Sequence, residues 1–168
     1  RRAWRDTQAA RAVVVLLHGV GEHCQRYDQV AQRFCERGFQ MLGYDRRGHG
    51  RSDGRQGVIG SVDQLVADFS QVIALAKAEN PGLPVFLYGH SLGALGVLYY
   101  AVREKPAVKV IIATSPPLDS STIPDQQKKL IRMLEPILPH LAIPSKLDEK
   151  ALSRDPAVIE AYRADTLV

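Results

Sequence analysis

Glycine is absent from the last part of this 168-residue chain, because all thirteen glycines lie at or before Gly96. Proline has the opposite distribution, and seven of the ten prolines lie at or after Pro116. Glycine-dependent tight turns are therefore excluded from the C-terminal part, where prolines would separate short helices. We predict a boundary between the N-terminal part of a domain core over residues 1–115 and a second segment over residues 116–168.

The chain also has few cysteines, no long apolar run and a small net charge. Cys24 and Cys35 lie eleven positions apart, one in a loop and one on the apolar face of a predicted helix, which favours free thiols in a reducing compartment. No apolar run approaches the roughly 20 residues that cross a bilayer, and no leader opens the chain, so we expect a soluble, cytoplasmic protein. The net charge of +4 comes from interspersed residues, 22 basic and 18 acidic, and does not indicate a nucleic-acid partner.

Four short apolar runs predict buried parallel strands. The runs are Ala12 to Leu17, Phe39 to Tyr44, Val85 to Tyr88 and Val108 to Ala113. The segments between these runs have apolar residues at helical spacing, so strands and helices alternate along the chain. This alternation predicts an α/β fold with a doubly wound, mostly parallel sheet.

Three apolar stripes predict the intervening helices. The first helix should end before Gly38, and the second should begin at a capping box opened by Ser61. The stripes are Tyr27, Val30, Ala31, Phe34 and Cys35; Val62, Leu65, Val66, Phe69, Val72, Ile73 and Ala76; and Leu95, Leu98, Tyr99 and Val102. A further stripe from Leu130 to Leu141 is interrupted by proline, and it is either a lid or a helix packed on the core.

Ser91 lies between an apolar run and a helical pattern, at the centre of Gly89-His90-Ser91-Leu92-Gly93. The two glycines suit a strand-to-helix turn so tight that neighbouring positions must be nearly free of side chains. Such a turn exposes the serine hydroxyl and leaves the backbone N–H of Leu92 unpaired. We interpret Ser91 as a nucleophile and the Leu92 amide as a donor to the oxyanion of an attacked carbonyl.

A second oxyanion donor is expected from the glycine-rich turn His18-Gly19-Val20-Gly21-Glu22-His23, which follows the first predicted strand. Ligands bind at the carboxyl ends of the strands in open parallel sheets. This turn, Asp45 and Ser91 all follow strands, and therefore we expect them at one edge of the sheet.

Three segments in this order resemble the monoacylglycerol lipase and lysophospholipase branch of the α/β-hydrolases, of the serine aminopeptidase S33 type. They read HGVGEH from His18, RRGHGRSDG from Arg46 and PGLPVFLYGHSLG from Pro81. The resemblance implies that Ser91 is acylated while the backbone amides of Val20 and Leu92 hold the oxyanion.

The polar head of the substrate would be bound by side chains that align with Glu22, Arg26 and Tyr162. Ala94 stands where the family's GHSMGG motif has its second glycine, and because alanine is small we expect no loss. No metal or organic cofactor is implied.

By the same resemblance, residues 116–168 begin a helical cap over an apolar tunnel for the acyl chain, and this cap could touch a membrane surface transiently. The implied reaction is hydrolysis of a single-chain lipid ester, a monoacylglycerol or a lysophospholipid, through an acyl-enzyme. The alternatives are a general carboxylesterase or serine peptidase of the same fold, and a catalytically silent protein that binds acyl ligands.

A catalytic serine needs a histidine base and an orienting carboxylate, in the chain order Ser, acid, His. His140 is the only histidine after Ser91, and by resemblance it belongs to the cap. The chain stops at Val168, before the family's strands seven and eight. Either it is part of a longer hydrolase, or it is a complete ligand binder or an enzyme that uses Asp119 and His140. We favour the first, because a sheet without those strands leaves a long unpaired edge, and we expect these 168 residues alone to be aggregation-prone and inactive on esters.

The remaining polar residues of the motifs are interpreted as loop structure, above all His18, Asp45 and His49. A Cys/His nucleophile pair from His23 and Cys24 is disfavoured, because side chains of adjacent residues rarely meet productively.

Overall fold

The structure is a computed structural model. In it the chain forms two compact units, Arg1–Leu118 and Asp119–Val168. It describes residues 1–5, 9–58, 60–119, 125–126, 128–129 and 152–168. The predicted stripe from Leu130 to Leu141 lies outside the described residues. The interpretation of residues 116–168 as a lid remains a prediction.

The first unit contains a five-stranded sheet of spatial order β1-β3-β2-β4-β5. Its strands are β1 (Arg2–Trp4), β2 (Ala12–Leu17), β3 (Phe39–Gly43), β4 (Val85–His90) and β5 (Val110–Thr114). Strands β2 to β5 are joined by parallel pairings, which confirms the predicted mostly parallel sheet.

Strand β1, which the sequence did not predict, pairs antiparallel with β3. Both of its terminal side chains are held by one carboxylate of the first helix: the Trp4 indole N–H donates to Asp28 Oδ1 and the Arg2 guanidinium to Asp28 Oδ2, each at 2.8 Å. A three-residue strand therefore forms because its partners on β3 and at Asp28 are in place.

Three helices connect the strands, and one helix is described from end to end in the second unit. They are α1 (Asp28–Cys35), preceded by a 3₁₀ turn over Cys24–Tyr27, α2 (Val62–Glu79), α3 (Leu92–Glu104) and α4 (Pro156–Arg163). The predicted cap of α2 is confirmed, because Ser61 Oγ accepts a 3.1 Å hydrogen bond from the Gln64 amide.

The alternation of side chains along β2 divides the core between the two faces of the sheet. Val13, Val15 and Leu17 pack with α2 and α3, whereas Val14 and Leu16 pack with the 3₁₀ turn and α1. All six side chains of β2 are buried. The helices thus cover both faces, and the predicted doubly wound architecture is confirmed.

The predicted buried stripe of α3, made of Leu95, Leu98, Tyr99 and Val102, is wrong: Val102 is 78% exposed and Tyr99 44%. The buried face carries the small residues of the helix together with Val97 and Tyr100. A Cβ on Gly96 would lie 2.9 Å from the Leu17 side chain. Close approach of the α3 backbone to the sheet therefore selects glycine and alanine on the contact face and turns larger side chains outward.

Smaller corrections concern the ends of other elements. The prediction that Val30 and Val62 lie on buried stripes is wrong, because their side chains are 37% and 52% exposed. The strand that was predicted to begin at Val108 begins at Val110. Its first two side chains, Val110 and Ile111, are each 39% exposed and not buried. Among the described strands, β5 is an edge strand, with β4 on one side alone.

Candidate active site

Ser91 joins β4 to α3 in a conformation that few L-residues adopt, with φ of 52° and ψ of −122°. Strain of this kind costs on the order of 1–3 kcal/mol and persists only where surrounding structure imposes it. The elbow predicted from the sequence is therefore present. It sets Ser91 at the carboxyl end of a central strand and at the amino end of a helix.

The glycines on either side of Ser91 are required by backbone packing. A Cβ on Gly89 would meet the backbone of Gly93 and Ala94, and a Cβ on Gly93 would lie 2.6 Å from the His18 carbonyl oxygen and overlap that of Leu17. Strand, elbow and helix are thus in backbone contact.

Thr114, at the end of β5, supports the elbow from the other side. Its carbonyl oxygen accepts a 2.9 Å hydrogen bond from the Ser91 amide. Its hydroxyl donates to the Gly89 carbonyl at 3.2 Å, and because a hydroxyl has one proton, it accepts the 3.0 Å bond from His90 Nδ1. No local sequence pattern indicates this role of Thr114.

The turn after β2 lies directly beside Ser91. A Cβ built on Gly19 would lie 3.1 Å from the Ser91 Cβ, as the shared carboxyl edge of the sheet predicted. Within the described ranges, the backbone amides of Val20 and Leu92 donate to no protein acceptor. Two amide donors are therefore available next to the serine, and their role as an oxyanion hole remains a prediction.

The peptide groups on both sides of Gly19 are anchored by side chains. The Gly19 amide donates to Glu22 Oε1, which also accepts a 2.9 Å bond from the Tyr27 hydroxyl. The Gly19 carbonyl accepts a 2.6 Å bond from Arg46 Nη2. Burial, and then the Glu22 charge, raise the pKa of Tyr27. The Tyr27 hydroxyl therefore stays protonated and donates to Glu22.

His18 is neutral and has a defined tautomer. Its Nε2 accepts a 2.9 Å bond from the Arg46 backbone N–H, so its proton lies on Nδ1, which donates to the Gly19 carbonyl at 2.9 Å. Burial, assisted by the Arg46 charge, lowers the pKa of His18 to about 3. Both nitrogens are engaged, which confirms that His18 is a structural residue of the loop.

Asp45 joins the 3₁₀ turn to the loop after β3. Its carboxylate accepts bonds from the backbone amides of Cys24 at 2.8 Å and Arg51 at 2.9 Å. Burial alone would raise the pKa of Asp45, but these hydrogen bonds outweigh it and the pKa is lowered. Burial and the adjacent Asp45 raise the pKa of the Cys24 thiol to about 12. Cys24 and Cys35 are not joined by a disulfide, as predicted.

The predicted head-group residues lie on three different elements of the chain. Glu22 Oε1 is occupied by the loop itself. Arg26 is an exposed residue of the 3₁₀ turn, and Tyr162 lies in α4 of the second unit. Their contact with substrate remains a prediction.

No described histidine is hydrogen-bonded to Ser91 Oγ. The four described histidines are His18, His23, His49 and His90. His140 lies outside the described residues, so the alternative pair with Asp119 stays untested. His49 hydrogen-bonds the Arg47 carbonyl at 3.0 Å, as expected of a loop residue.

The sequence gives Arg46 no role beyond its place in the RRGHGRSDG motif, whereas the structure places its side chain against the turn after β2. It is 2% exposed, and its contacts to His18 and Gly19 span 28 and 27 positions of sequence. No local pattern could have revealed these contacts. The one signal was an arginine at the carboxyl end of a buried strand.

Neither a membrane span nor a metal site is found in the part of the chain that the structure describes. None of its helices is both long and apolar enough to cross a bilayer. No three of its His, Cys, Asp or Glu side chains are grouped to hold a metal ion.

Comparison with known proteins relates this geometry to hydrolases. The profile of the family described as serine aminopeptidase, S33 matches residues 8–168. A monoacylglycerol lipase from Mycolicibacterium smegmatis is 35% identical over 98% of this chain and 59% of its own length. A rat monoglyceride lipase is 32% identical over 99% of this chain and 55% of its own.

The crystal structure of the monoacylglycerol lipase of Paleococcus ferrophilus superposes with a TM-score of 0.85 at 34% identity, covering 99% of this chain and 63% of that one. The fold is therefore shared with α/β-hydrolases of this kind. The chain spans between half and two thirds of the length of these proteins.

Proposed function

Because the chain belongs to the serine aminopeptidase S33 family of α/β-hydrolases, we propose that the whole protein hydrolyses carboxylic esters of single-chain lipids. The observation that carries this proposal is the strained Ser91 elbow beside two backbone amides, those of Val20 and Leu92, that donate to no acceptor among the described residues. The similarity of this chain to monoacylglycerol lipases supports a monoacylglycerol as its substrate. The family resemblance adds a lysophospholipid as the alternative.

In this reaction Ser91 Oγ attacks the ester carbonyl carbon and its proton passes to a histidine base outside the described residues. The Val20 and Leu92 amides, which donate to no acceptor in the described part of the chain, instead donate to the oxygen that becomes negative. The C–O bond then breaks as the base protonates the leaving alcohol. Water hydrolyses the acyl-enzyme, which releases a fatty acid and restores the serine.

The head group of the substrate is the second part of the proposal. We assign its recognition to Glu22, Arg26 and Tyr162 on the family resemblance. A carboxylate has about four acceptor positions, so Glu22 can hold its loop and still accept from a hydroxyl. Arg26→Ala should raise KM for monoacylglycerol and leave KM for a short p-nitrophenyl ester unchanged.

The second unit is proposed as a helical cap for the acyl chain that makes transient contact with a membrane surface, in an otherwise cytoplasmic protein. Flotation of the whole protein with phosphatidylcholine vesicles tests the contact. Binding that survives deletion of residues 116–168 would contradict the role given to this segment.

The proposed function is tested by labelling the whole protein with a fluorophosphonate, followed by a panel of substrates. We expect labelling of the wild type and of Ser70→Ala, a serine on α2, and none of Ser91→Ala. Preference for monooleoylglycerol or lysophosphatidylcholine supports the lipid substrate. Preference for short p-nitrophenyl esters indicates a general carboxylesterase, and preference for aminoacyl p-nitroanilides a peptidase. A folded wild-type protein that is not labelled would be a silent acyl-ligand binder.

A further inference from the structure

The guanidinium of Arg46 is buried against the turn after β2 without being fully satisfied. Nη2 donates to the Gly19 carbonyl at 2.6 Å and lies 3.2 Å from His49 Nε2. Its Nε and Nη1 are buried and have no partner in the described part of the chain. A buried cation with unpaired donors is destabilising, so the presence of an arginine at this position calls for a role other than stability.

The bond to Gly19 controls the direction of another group. The Gly19 carbonyl and the Val20 N–H belong to one planar peptide unit, and the described residues contain no cis peptide bond. In a trans peptide the N–H points opposite to the carbonyl. Donors that fix the Gly19 carbonyl therefore also fix the Val20 N–H, one of the two proposed oxyanion donors.

The same bond changes the strength of that donor. A positive charge that donates to a carbonyl draws electron density through the peptide, and the N–H at its other end becomes a better hydrogen-bond donor. His18 Nδ1 shares the carbonyl at 2.9 Å but is a neutral donor. Of these two donors to the Gly19 carbonyl, Arg46 is the one that carries a positive charge.

We propose that Arg46 is a positioning residue of this site, whose buried guanidinium orients and polarises the Gly19–Val20 peptide so that the Val20 N–H stabilises the oxyanion. This inference rests on the proposed ester hydrolysis. It predicts a contribution to the transition state and not to substrate binding.

The test compares Arg46→Met with Arg47→Met in the whole protein. Arg47 is the adjacent arginine, exposed and paired with Asp68 at 3.2 Å, so its removal changes the net charge equally. Loss of one oxyanion donor costs roughly 100- to 1,000-fold in kcat. Because a misdirected donor is weakened and not removed, we expect Arg46→Met to lower kcat about 10- to 100-fold, with KM unchanged.

A trifluoromethyl ketone, which forms a tetrahedral oxyanion adduct with serine, should lose affinity for Arg46→Met by the same factor. Arg47→Met should retain wild-type kcat and affinity. Arg46→Lys keeps a charge and one donor and should recover part of the lost kcat, and it carries the comparison if Arg46→Met does not fold. Unchanged kcat in a folded Arg46→Met, or an equal loss in Arg47→Met, would overturn the proposal.

One further readout does not depend on turnover. In ¹⁵N–¹H spectra of the folded proteins, the Val20 amide resonance should move in Arg46→Met and stay in place in Arg47→Met. If the wild type hydrolyses no ester, the proposed function fails and this resonance still decides the coupling. If ester hydrolysis is present and the Val20 resonance does not move, the coupling fails and the function stands.

Discussion

The amide of Ser91 donates a 2.9 Å hydrogen bond to the carbonyl of Thr114, which ties the strained elbow of β4 to the end of β5. The Thr114 hydroxyl adds contacts to Gly89 and His90 on the same turn. One residue of the neighbouring strand thus holds three consecutive positions of the elbow.

Thr114→Val should lower the free energy of unfolding by about 1–2 kcal/mol, because the Gly89 carbonyl and His90 Nδ1 lose a shared partner while the side-chain shape is kept. Urea unfolding measures the loss. Thr166→Val, at an exposed position of the second unit, is the control and should change stability by less than about 0.5 kcal/mol. Equal effects of the two substitutions would contradict a bracing role for Thr114.

Gly93→Ala should prevent folding or cost more than about 3 kcal/mol, because its Cβ would overlap the Leu17 carbonyl and force α3 away from β2. The control is Gly82→Ala, where no atom lies within 4 Å of the added Cβ and the penalty comes from φ of 81° alone. That penalty is about 1–2 kcal/mol. Thermal unfolding ranks the two variants, and the reverse order would refute the packing argument.

The stability of the protein should fall as pH is lowered from about 6.5 to about 3, in part because of His18. An unfolded histidine takes up a proton near pH 6.5, whereas folded His18 does so only near 3. The unfolded state therefore binds more protons in this window, and stability rises with pH there.

His18→Gln removes this titration while keeping a side chain that can hydrogen-bond. We expect its stability, measured by urea unfolding between pH 4 and 6.5, to depend on pH less steeply than that of the wild type by up to about 1.4 kcal/mol per pH unit. His49 also has a lowered pKa from burial and keeps its own contribution in both proteins. A His18→Gln profile parallel to that of the wild type would show that His18 titrates normally.

Cys24 should resist alkylation in the native protein. The thiol is 5% exposed, and burial followed by Asp45 raises its pKa to about 12, so almost no thiolate exists at pH 8. With Cys35→Ala, mass spectrometry should find no iodoacetamide adduct on Cys24 until urea is added. Rapid native labelling of that variant would contradict the burial of Cys24.

The Ser91 elbow could be predicted because its signal is local. An apolar run, a serine between glycines and a helical pattern occupy consecutive positions, and the structure has them as strand, turn and helix. The parallel strands were predicted for the same reason, with ends displaced by one or two residues.

The sequence predictions fail where contacts between remote parts of the chain determine the local structure. Hydrophobic spacing places large side chains of a helix inward, but on α3 the backbone approaches the sheet so closely that Gly93 and Gly96 occupy the contact. Strand β1 depends on Asp28, twenty-four positions from Trp4. The Arg46 contact with Gly19 spans 27 positions, so no local sequence pattern indicates it.

The anchoring of Gly19 by Glu22, Arg46 and His18 has a consequence for how a ligand would bind. Side chains hold both peptide groups of Gly19 in the turn after β2, so little conformational entropy is lost there when a ligand binds. Its backbone amides are preorganised, so their hydrogen bonds to a developing oxyanion require no rearrangement of the turn.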